Sequence, residues 1–225
     1  MKRFRRSLST ITLLLFALLP EAVAQTVERS FALTSVADLE PRGVKAEAVS
    51  YRDRAAVRLT ALPGGPQEAV AILKGASFKD GTIEVELAGS PAAGAPEGAR
   101  GFVGIAFRLD GERFECFYLR PTNGRSDDQL RRNHSTQYVS EPEYPWQRLR
   151  QEAPGAYESY VDLEPGVWTR MKVVVAGTKA RLYVHDAAQP ALVVNDLKLG
   201  DKQGAVALWI GAGTEGYFSH LRIVP

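Results

Sequence analysis

Short apolar runs, most of them alternating or rich in β-branched residues, cover the greater part of the chain, and turn residues such as Asp110-Gly111 separate them. Runs of this kind predict strands. They lie at residues 44–51, 55–61, 68–73, 81–88, 102–109, 114–120, 157–163, 168–176, 180–185, 192–194, 205–210 and 217–224. No long segment has a helical period with caps. About a dozen short strands separated by turns are typical of an antiparallel β-sandwich.

Two stretches interrupt the strands. Residues 89–100 are rich in Gly, Ala and Pro, and we expect a hairpin loop there. Residues 121–156 are longer and combine Arg, Asp, Tyr and Trp. A loop of this length inside a compact domain is uncommon and is often functional. Because no internal repeat is visible, we expect one domain over residues 25–225.

Residues 1–24 have the pattern of a cleavable signal peptide. Basic residues precede the apolar run 11–19, which is too short to span a bilayer, and Ala22-Val23-Ala24 is a small-residue cleavage site. We expect cleavage between Ala24 and Gln25, and hence an exported protein, periplasmic or extracellular, with no membrane span after cleavage. An uncleaved N-terminal anchor is the alternative.

Cleavage changes the charge of the chain. The whole sequence carries 28 basic and 26 acidic residues, for a formal net charge of +2. Removing four basic residues and one acidic residue with positions 1–24 leaves a formal net charge of −1. A nucleic-acid partner therefore loses its main electrostatic support, and we expect none. The single cysteine, Cys116, excludes an internal disulfide, and its place in a strand-like run predicts a buried thiol.

Alternation along two predicted strands places polar side chains beside small ones. In the first strand, Arg108 shares a face with Gly104 and Ala106, which leave room for a ligand. In the next strand, Tyr118 and Arg120 share a face. If the two strands pair as a hairpin, we expect Arg108, Tyr118 and Arg120 to converge on one sheet face, beneath the 121–156 loop.

The 121–156 loop carries residue types that recognise sugars. Aromatic rings stack on the C–H faces of pyranoses, which makes Tyr138, Tyr144 and Trp146 candidate platforms. Asn133 and His134 are candidates for hydrogen bonds to hydroxyl groups. The alternative is that the aromatic residues hold the loop on the sandwich while its arginines pair with nearby acids.

Several segments resemble strands of concanavalin A-like lectin and glucanase domains: 78–86 (FKDGTIEVE), 101–108 (GFVGIAFR), 117–120 (FYLR), 168–173 (WTRMKV) and 217–223 (YFSHLRI). The resemblance implies an all-β, concanavalin A-like jelly-roll sandwich of two antiparallel sheets, with an oligosaccharide or larger glycan as partner. The nearest enzymatic branch is the 3-keto-disaccharide hydrolase (DUF1080-like) family. Its members often carry Asn-Ser-Gly where this chain has Phe102-Val103-Gly104.

Candidate catalytic groups follow if the chain is an enzyme. Glu158 and Asp162 are candidate acids, and His134 or His185 is a candidate base. Glu84 and Glu86 share a strand face and are a second candidate acid pair, although a solvated outer face explains them better.

No metal-binding motif is visible in the sequence, and we expect no cofactor. The resemblance allows a structural Ca²⁺, for which Asn195, Asp196 and Asp201 are candidate ligands. Residues 211–216 fit G-x-G-x-x-G, but a strand pattern follows them instead of a helix, so we interpret them as a turn.

Three functions remain open on the sequence alone. The first is a glycan-recognition domain, the second is a glycoside-cleaving enzyme that uses the same cleft, and the third is a structural or protein-binding sandwich. An enzyme requires an acid within reach of the cleft, whereas a recognition domain requires only a stacking platform and hydrogen-bonding groups.

Overall fold

The structure, a computed structural model, describes residues 28–64 and 68–225. The predicted signal peptide and its cleavage site lie outside the described residues. Two antiparallel sheets pack face to face, as the sequence predicts for a jelly-roll sandwich. Within the described part of the chain, no helix has the length and apolar character needed to cross a membrane.

One sheet has eight strands. Its members are β1 (Arg29–Phe31), β3 (Val44–Tyr51), β4 (Arg54–Ala61), β6 (Gly81–Pro91), β11 (Thr169–Ala176), β12 (Lys179–Val184), β13 (Leu192–Val194) and β15 (Thr214–Val224). They run in the order β13-β12-β11-β6-β15-β4-β3, and β1 also pairs with β15. We call this the eight-stranded sheet.

The seven-stranded sheet carries the candidate site. Its members are β2 (Leu39–Arg42), β5 (Glu68–Phe78), β7 (Val103–Asp110), β8 (Arg113–Leu119), β9 (Thr136–Glu141), β10 (Glu158–Ser159) and β14 (Gly204–Gly211). They run in the order β10-β9-β8-β7-β14-β5-β2. The predicted β7–β8 hairpin is present, with Gly104 opposite Tyr118 and Ile105 opposite Phe117.

The core lies between the two sheets and follows from the alternation of apolar residues. On the eight-stranded sheet, alternate positions such as Val173 and Leu182 are buried. On the seven-stranded sheet, Ile105 and Phe107 of β7 face inward, and the Phe107 ring stacks on Phe117 with centroids 6.2 Å apart. Burial of these apolar side chains is the main force that joins the sheets.

A single turn joins the centres of both sheets. Strand β14 lies between β7 and β5, β15 lies between β6 and β4, and only residues 212–213 separate β14 from β15. Gly213 has a φ of +67°, a backbone conformation that glycine adopts without steric cost. The interpretation of residues 211–216 as a turn is therefore confirmed.

The 121–156 segment is more ordered than the sequence predicts. It contains a 3₁₀ turn (Pro121–Asn123), two short helices, α1 (Gln129–Asn133) and α2 (Trp146–Glu152), and strand β9. The Asp128 side chain caps α1 by accepting hydrogen bonds from the amides of Leu130 and Arg131. Every residue of strand β9 is buried, but four of the six are Thr, Gln, Ser and Glu. The strand therefore lacks the apolar alternation that would have predicted it.

Candidate functional site

A buried aromatic pair lies beside Gly104, on the face of the seven-stranded sheet opposite that of Ile105. Gly104 of β7 pairs with Tyr118 of β8 on one side and with Trp209 of β14 on the other. The rings of Tyr118 and Trp209 stack across it, with centroids 4.7 Å apart. A Cβ at position 104 would lie 2.6 Å from the Cβ of Tyr118 and closer still to the carbonyl oxygen of Phe117, so only glycine fits.

Arg120 is buried next to this aromatic pair and links it to the 121–156 segment. One terminal nitrogen of its guanidinium donates to Glu158 at 2.8 Å, and the other donates to the Tyr118 hydroxyl at 3.0 Å and to the Gln137 amide oxygen at 2.8 Å. The Arg120 Nε is buried and has no partner among the described residues. Burial raises the pKa of Tyr118 to about 12, so its hydroxyl stays protonated at neutral pH.

Glu158 is the central carboxylate of the site, and its side chain is only 3% exposed. It accepts hydrogen bonds from Arg120 and from both Nε and a terminal nitrogen of Arg150. Burial by itself would raise the pKa of Glu158, but the bonds from Arg150 and Arg120 outweigh burial and hold the pKa below its usual value. Glu158 is therefore an ion-paired carboxylate at neutral pH.

His134 lies beside this carboxylate. Its Nε2 is 3.5 Å from a Glu158 oxygen, and its side chain is 19% exposed. Burial lowers the pKa of His134, and the charges of Arg150 and Arg120 add to this effect against the attraction of Glu158. The imidazole is thus neutral at neutral pH.

A cavity of about 590 Å³ opens next to these groups between α1 and the start of β10. We call it the Glu158 cavity. Asn133, His134, Arg150, Glu158 and Tyr160 contribute to its lining. Tyr160 is 42% exposed, and the Arg132 guanidinium lies over one face of its ring, 5.1 Å from the centroid, and donates a 3.0 Å hydrogen bond to its hydroxyl.

The structure brings together Tyr118, Arg120, Asn133, His134 and Glu158 from the sequence-predicted set. Trp146 adjoins them from α2, where the Arg150 guanidinium lies 4.6 Å and the Arg120 guanidinium 5.9 Å from its ring centroid. Trp146 is partly buried against the core, and its ring packs against the Arg150 guanidinium.

Arg108 does not join this group, so the predicted convergence of Arg108 with Tyr118 and Arg120 is wrong. A bulge between Phe107 and Asp110 gives Arg108 a φ of +53° and breaks the alternation of β7. The fully buried guanidinium donates to the carbonyl oxygens of Lys79, Gly177 and Gly200 and pairs with Asp80 at 3.3 Å. Arg108 therefore links three loops by hydrogen bonds, and its buried guanidinium is not accessible to a ligand.

Tyr138 is likewise not a stacking platform, which corrects the prediction. Strand β9 places it opposite Phe117 on the core face, where it is fully buried. Its hydroxyl donates to Glu115 and accepts from the amide of Lys198 at 2.8 Å. Burial raises the pKa of Glu115, and the hydrogen bonds from Tyr138 and the Leu199 amide oppose this rise.

Tyr144 and Asp162 also lie away from the Glu158 cavity. The Arg148 guanidinium lies 4.1 Å from the Tyr144 ring centroid. The Asp162 side chain is 56% exposed and forms a 2.8 Å ion pair with Arg125. The backbone oxygen of Asp162 lies 2.7 Å from His185 Nε2, outside the cavity lining.

Three contributors to the site were missed by the sequence analysis: Gln137, Arg150 and Tyr160. The Tyr160 position, two residues after Glu158, gave a usable signal, because a period of two places both on one side of an extended chain. Gln137 gave none, because its strand was not predicted.

Glu84 and Glu86 lie on the outer face of the eight-stranded sheet. Glu86 pairs with Arg54 and Arg170, and Glu84 pairs with Arg222 at 2.7 Å. They line a cavity of about 660 Å³ that is separate from the Glu158 cavity. The network of ion pairs agrees with the interpretation of these two residues as a solvated outer face.

Two of the three candidate calcium ligands, Asp196 and Asp201, bind other side chains. The Asp196 carboxylate binds Lys198 at 2.6 Å and the Tyr157 hydroxyl at 2.7 Å, and Asp201 pairs with Lys79 at 3.0 Å. In residues 28–64 and 68–225, no group of three or more His, Cys, Asp or Glu side chains is placed to hold a metal ion.

Comparisons with known proteins bear on the fold. No protein-family model matches the chain, and no curated protein matches it in sequence. Among solved structures, the carbohydrate-binding module CBM66 from Bacillus subtilis has a TM-score of 0.53 at 11% identity over 82% of this chain and 98% of its own. The fold is that of the concanavalin A-like lectins and glucanases.

Two further structures share this jelly roll. The Bacillus licheniformis β-glucanase has a TM-score of 0.53 at 9% identity, covering 88% of this chain and 98% of the glucanase. Lectin II from Ulex europaeus has a TM-score of 0.52 at 8% identity, covering 88% and 97%. The narrower resemblance to the 3-keto-disaccharide hydrolase branch is not confirmed by these matches. Identities this low establish the fold alone.

Proposed function

We propose that this chain is an exported carbohydrate-recognition domain that binds a glycan in the Glu158 cavity. The observation that carries the proposal is that the Glu158 carboxylate forms ion pairs with both Arg120 and Arg150. The partly exposed Tyr160 lies next to it. Arg150, Asn133 and His134 offer hydrogen bonds to hydroxyl groups, and Tyr160 offers a face for a sugar ring.

Similarity to lectins and to a carbohydrate-binding module supports the same class of function. Export rests on the signal-peptide pattern of residues 1–24. The mass of the secreted chain, with Gln25 as its first residue, tests that part of the proposal.

Recognition fits the site better than glycoside hydrolysis. Hydrolysis requires two carboxyl groups, about 5–5.5 Å apart in retaining enzymes and further apart in inverting ones. Among the residues that line the Glu158 cavity, Glu158 is the only carboxylate. Its lowered pKa also disfavours a general acid, which must hold a proton near neutral pH.

A glycoside-cleaving enzyme is the second candidate, and His134 favours it. A neutral imidazole 3.5 Å from a carboxylate can accept a proton from a substrate carbon or hydroxyl. This candidate requires that released product depends on His134.

Titration calorimetry of the wild-type chain against neutral and acidic oligosaccharides, with chromatography for released products, tests the proposal. We expect binding without turnover. Tyr160→Ala removes the exposed platform and should weaken binding by about tenfold, equivalent to ~1.4 kcal/mol. Tyr183→Ala, which removes a half-buried ring on β12 of the other sheet, is the matched control and should leave affinity unchanged.

Three results would overturn the recognition proposal. They are the absence of binding to any glycan, equal affinity of wild type and Tyr160→Ala, and product release that stops in His134→Ala. The last result would establish the cleaving enzyme instead.

A further inference from the structure

A second cavity also adjoins α1 and is lined by different residues from the Glu158 cavity. It has a volume of about 470 Å³ and is lined by Glu97, Gly98, Ala99, Arg100, Thr122 and Arg131. We call it the arginine cavity. Leu130 and Asn133 of α1 line the Glu158 cavity, whereas Arg131 of the same helix lines the arginine cavity. One short helix thus borders both.

The guanidinium groups of the two arginines in this cavity donate hydrogen bonds only to neutral groups, and the one carboxylate in the cavity lining, Glu97, attracts Arg100 without forming a salt bridge with it. The Arg100 guanidinium donates to the carbonyl oxygens of Glu97 at 2.8 Å and Ala99 at 3.3 Å. Arg131 donates to the Asn123 side-chain oxygen at 3.2 Å and to Thr122. Neither arginine forms a salt bridge with any carboxylate of the described residues. Both are half-buried, so water replaces the missing partner only in part.

Other positive charges lie near these two arginines. Burial lowers the pKa of Arg100, and repulsion from Arg131 and Arg120 lowers it further, against the attraction of Glu97. Arg120 and Arg150 share one carboxylate, Glu158, so the excess of positive charge continues into the neighbouring cavity. Desolvated guanidinium groups without a carboxylate partner bind anionic oxygens strongly and with defined geometry.

We propose that the arginine cavity binds an anionic group, a carboxylate or a sulfate, of an acidic saccharide. This inference rests on the proposed function, which places a sugar ring of the same saccharide in the Glu158 cavity. The ligand is therefore an acidic glycan, and Arg100 and Arg131 determine the preference for it over a neutral one.

The anion site is tested first without any sugar. Inorganic sulfate is titrated into the whole chain while the Nε–H signals of arginine side chains are followed by NMR. We expect saturable shifts of the Arg100 and Arg131 signals that sodium chloride of equal ionic strength does not produce. The signal of Arg181, exposed on β12 and without a salt bridge among the described residues, is the internal control. Equal responses of Arg131 and Arg181 would overturn the proposal.

The saccharide arm compares trigalacturonate, a sulfated galactotriose and galactotriose within a wider panel of paired acidic and neutral oligosaccharides. We expect at least one acidic member to bind about tenfold or more tightly than its neutral partner. Whether the carboxylate or the sulfate member binds more tightly distinguishes the two sources. Arg131→Gln and Arg100→Gln should abolish this preference and leave neutral binding unchanged, whereas Arg181→Gln should preserve it. Thermal melts confirm that each variant is folded.

The failure of this inference can be distinguished from failure of the proposed function. Equal binding of acidic and neutral glycans that still depends on Tyr160 would overturn the acidic preference alone. Sulfate binding with no binding of any glycan would overturn both.

Discussion

At the scale of single residues, Glu158 balances the charge of its cavity. Two guanidinium groups lie against one carboxylate whose side chain is almost fully buried. Removal of one member of a buried ion pair leaves uncompensated charge, which costs about 3–5 kcal/mol. The same pair holds the cavity wall in one conformation, so the stability of the fold and the shape of the site depend on the same contacts.

We expect Glu158→Gln to lower the free energy of unfolding by about 3 kcal/mol at pH 7, because Arg120 and Arg150 lose their counter-charge. A carboxyl whose pKa is lower in the folded state stabilises the fold above its unfolded pKa of about 4.3. That contribution is lost as pH falls through the folded value, which lies lower. The difference between variant and wild type should therefore shrink below about pH 4, measured by urea unfolding from pH 7 to pH 3.

Glu152→Gln is the control for this experiment. Its side chain is 50% exposed and pairs with Arg148 on the surface of α2, so a change below about 0.5 kcal/mol is expected. Parallel curves of unfolding free energy against pH for wild type and Glu158→Gln would contradict the role assigned to the ion pairs.

The sequence predicted the polar residues of the site better than their directions. Tyr118 and Arg120 lie on the same face of the sheet, because the pairing of β7 with β8 is regular from Phe107 to Val103, the part of the hairpin nearest to them. Arg108 turns away because a bulge, which no glycine or proline marks, shifts the register of the same hairpin at its other end. Alternation fixes the direction of a side chain only as far as the ladder is regular.

At the scale of elements, the β7–β8–β9 strands form the floor on which the site is built. Gly104 lets Tyr118 and Trp209 stack across β7, and Tyr118 in turn accepts a hydrogen bond from Arg120. Strands β7 and β8 were predictable because their apolar residues alternate or run continuously. Strand β9 and helix α2 were not, since one is polar and buried and the other is short and begins after a proline.

Gly104→Ala should destabilise the fold by several kcal/mol and abolish glycan binding, because the new methyl group collides with the Phe117 carbonyl and the Tyr118 side chain. The backbone of Phe117 and Tyr118 cannot move away from the methyl group without breaking hydrogen bonds between β7 and β8. Urea unfolding and titration with the best glycan measure the two effects.

Gly98→Ala is the matched control, because its φ is not in the left-handed region and no atom lies within 4 Å of the added Cβ. We expect a change in unfolding free energy within about ±0.5 kcal/mol for this variant. Similar losses of stability in both variants would show that Gly104 is not needed for close packing of Tyr118.

At the scale of the whole molecule, charge is distributed unevenly. Without residues 1–24 the chain carries a formal net charge of −1, yet Arg100, Arg120 and Arg131 lie close enough for their charges to interact at one end of the seven-stranded sheet. A local positive field on a nearly neutral protein selects and attracts anionic ligands without attracting polyanions in general.

The affinity for an acidic oligosaccharide should fall about tenfold between 0.05 and 0.5 M sodium chloride, because salt screens exposed charges over a Debye length of about 10 Å at 0.1 M and less at higher salt. Affinity for the neutral partner should change less than about twofold, since its contacts are hydrogen bonds and stacking. Calorimetry at several salt concentrations measures both. An equal loss for the two sugars would mean that salt acts on the fold rather than on charge recognition.

The turn between β14 and β15 has a consequence for the order of events in folding. Each sheet receives one of its central strands from residues 204–224. A chain that stops before this hairpin has neither the strand that joins β7 to β5 nor the strand that joins β6 to β4. Neither sheet is continuous until residues 204–224 have entered it, so the strands before residue 204 cannot form the complete native core by themselves. Both sheets are therefore completed by the same hairpin, and the folding of one sheet is coupled through it to the folding of the other.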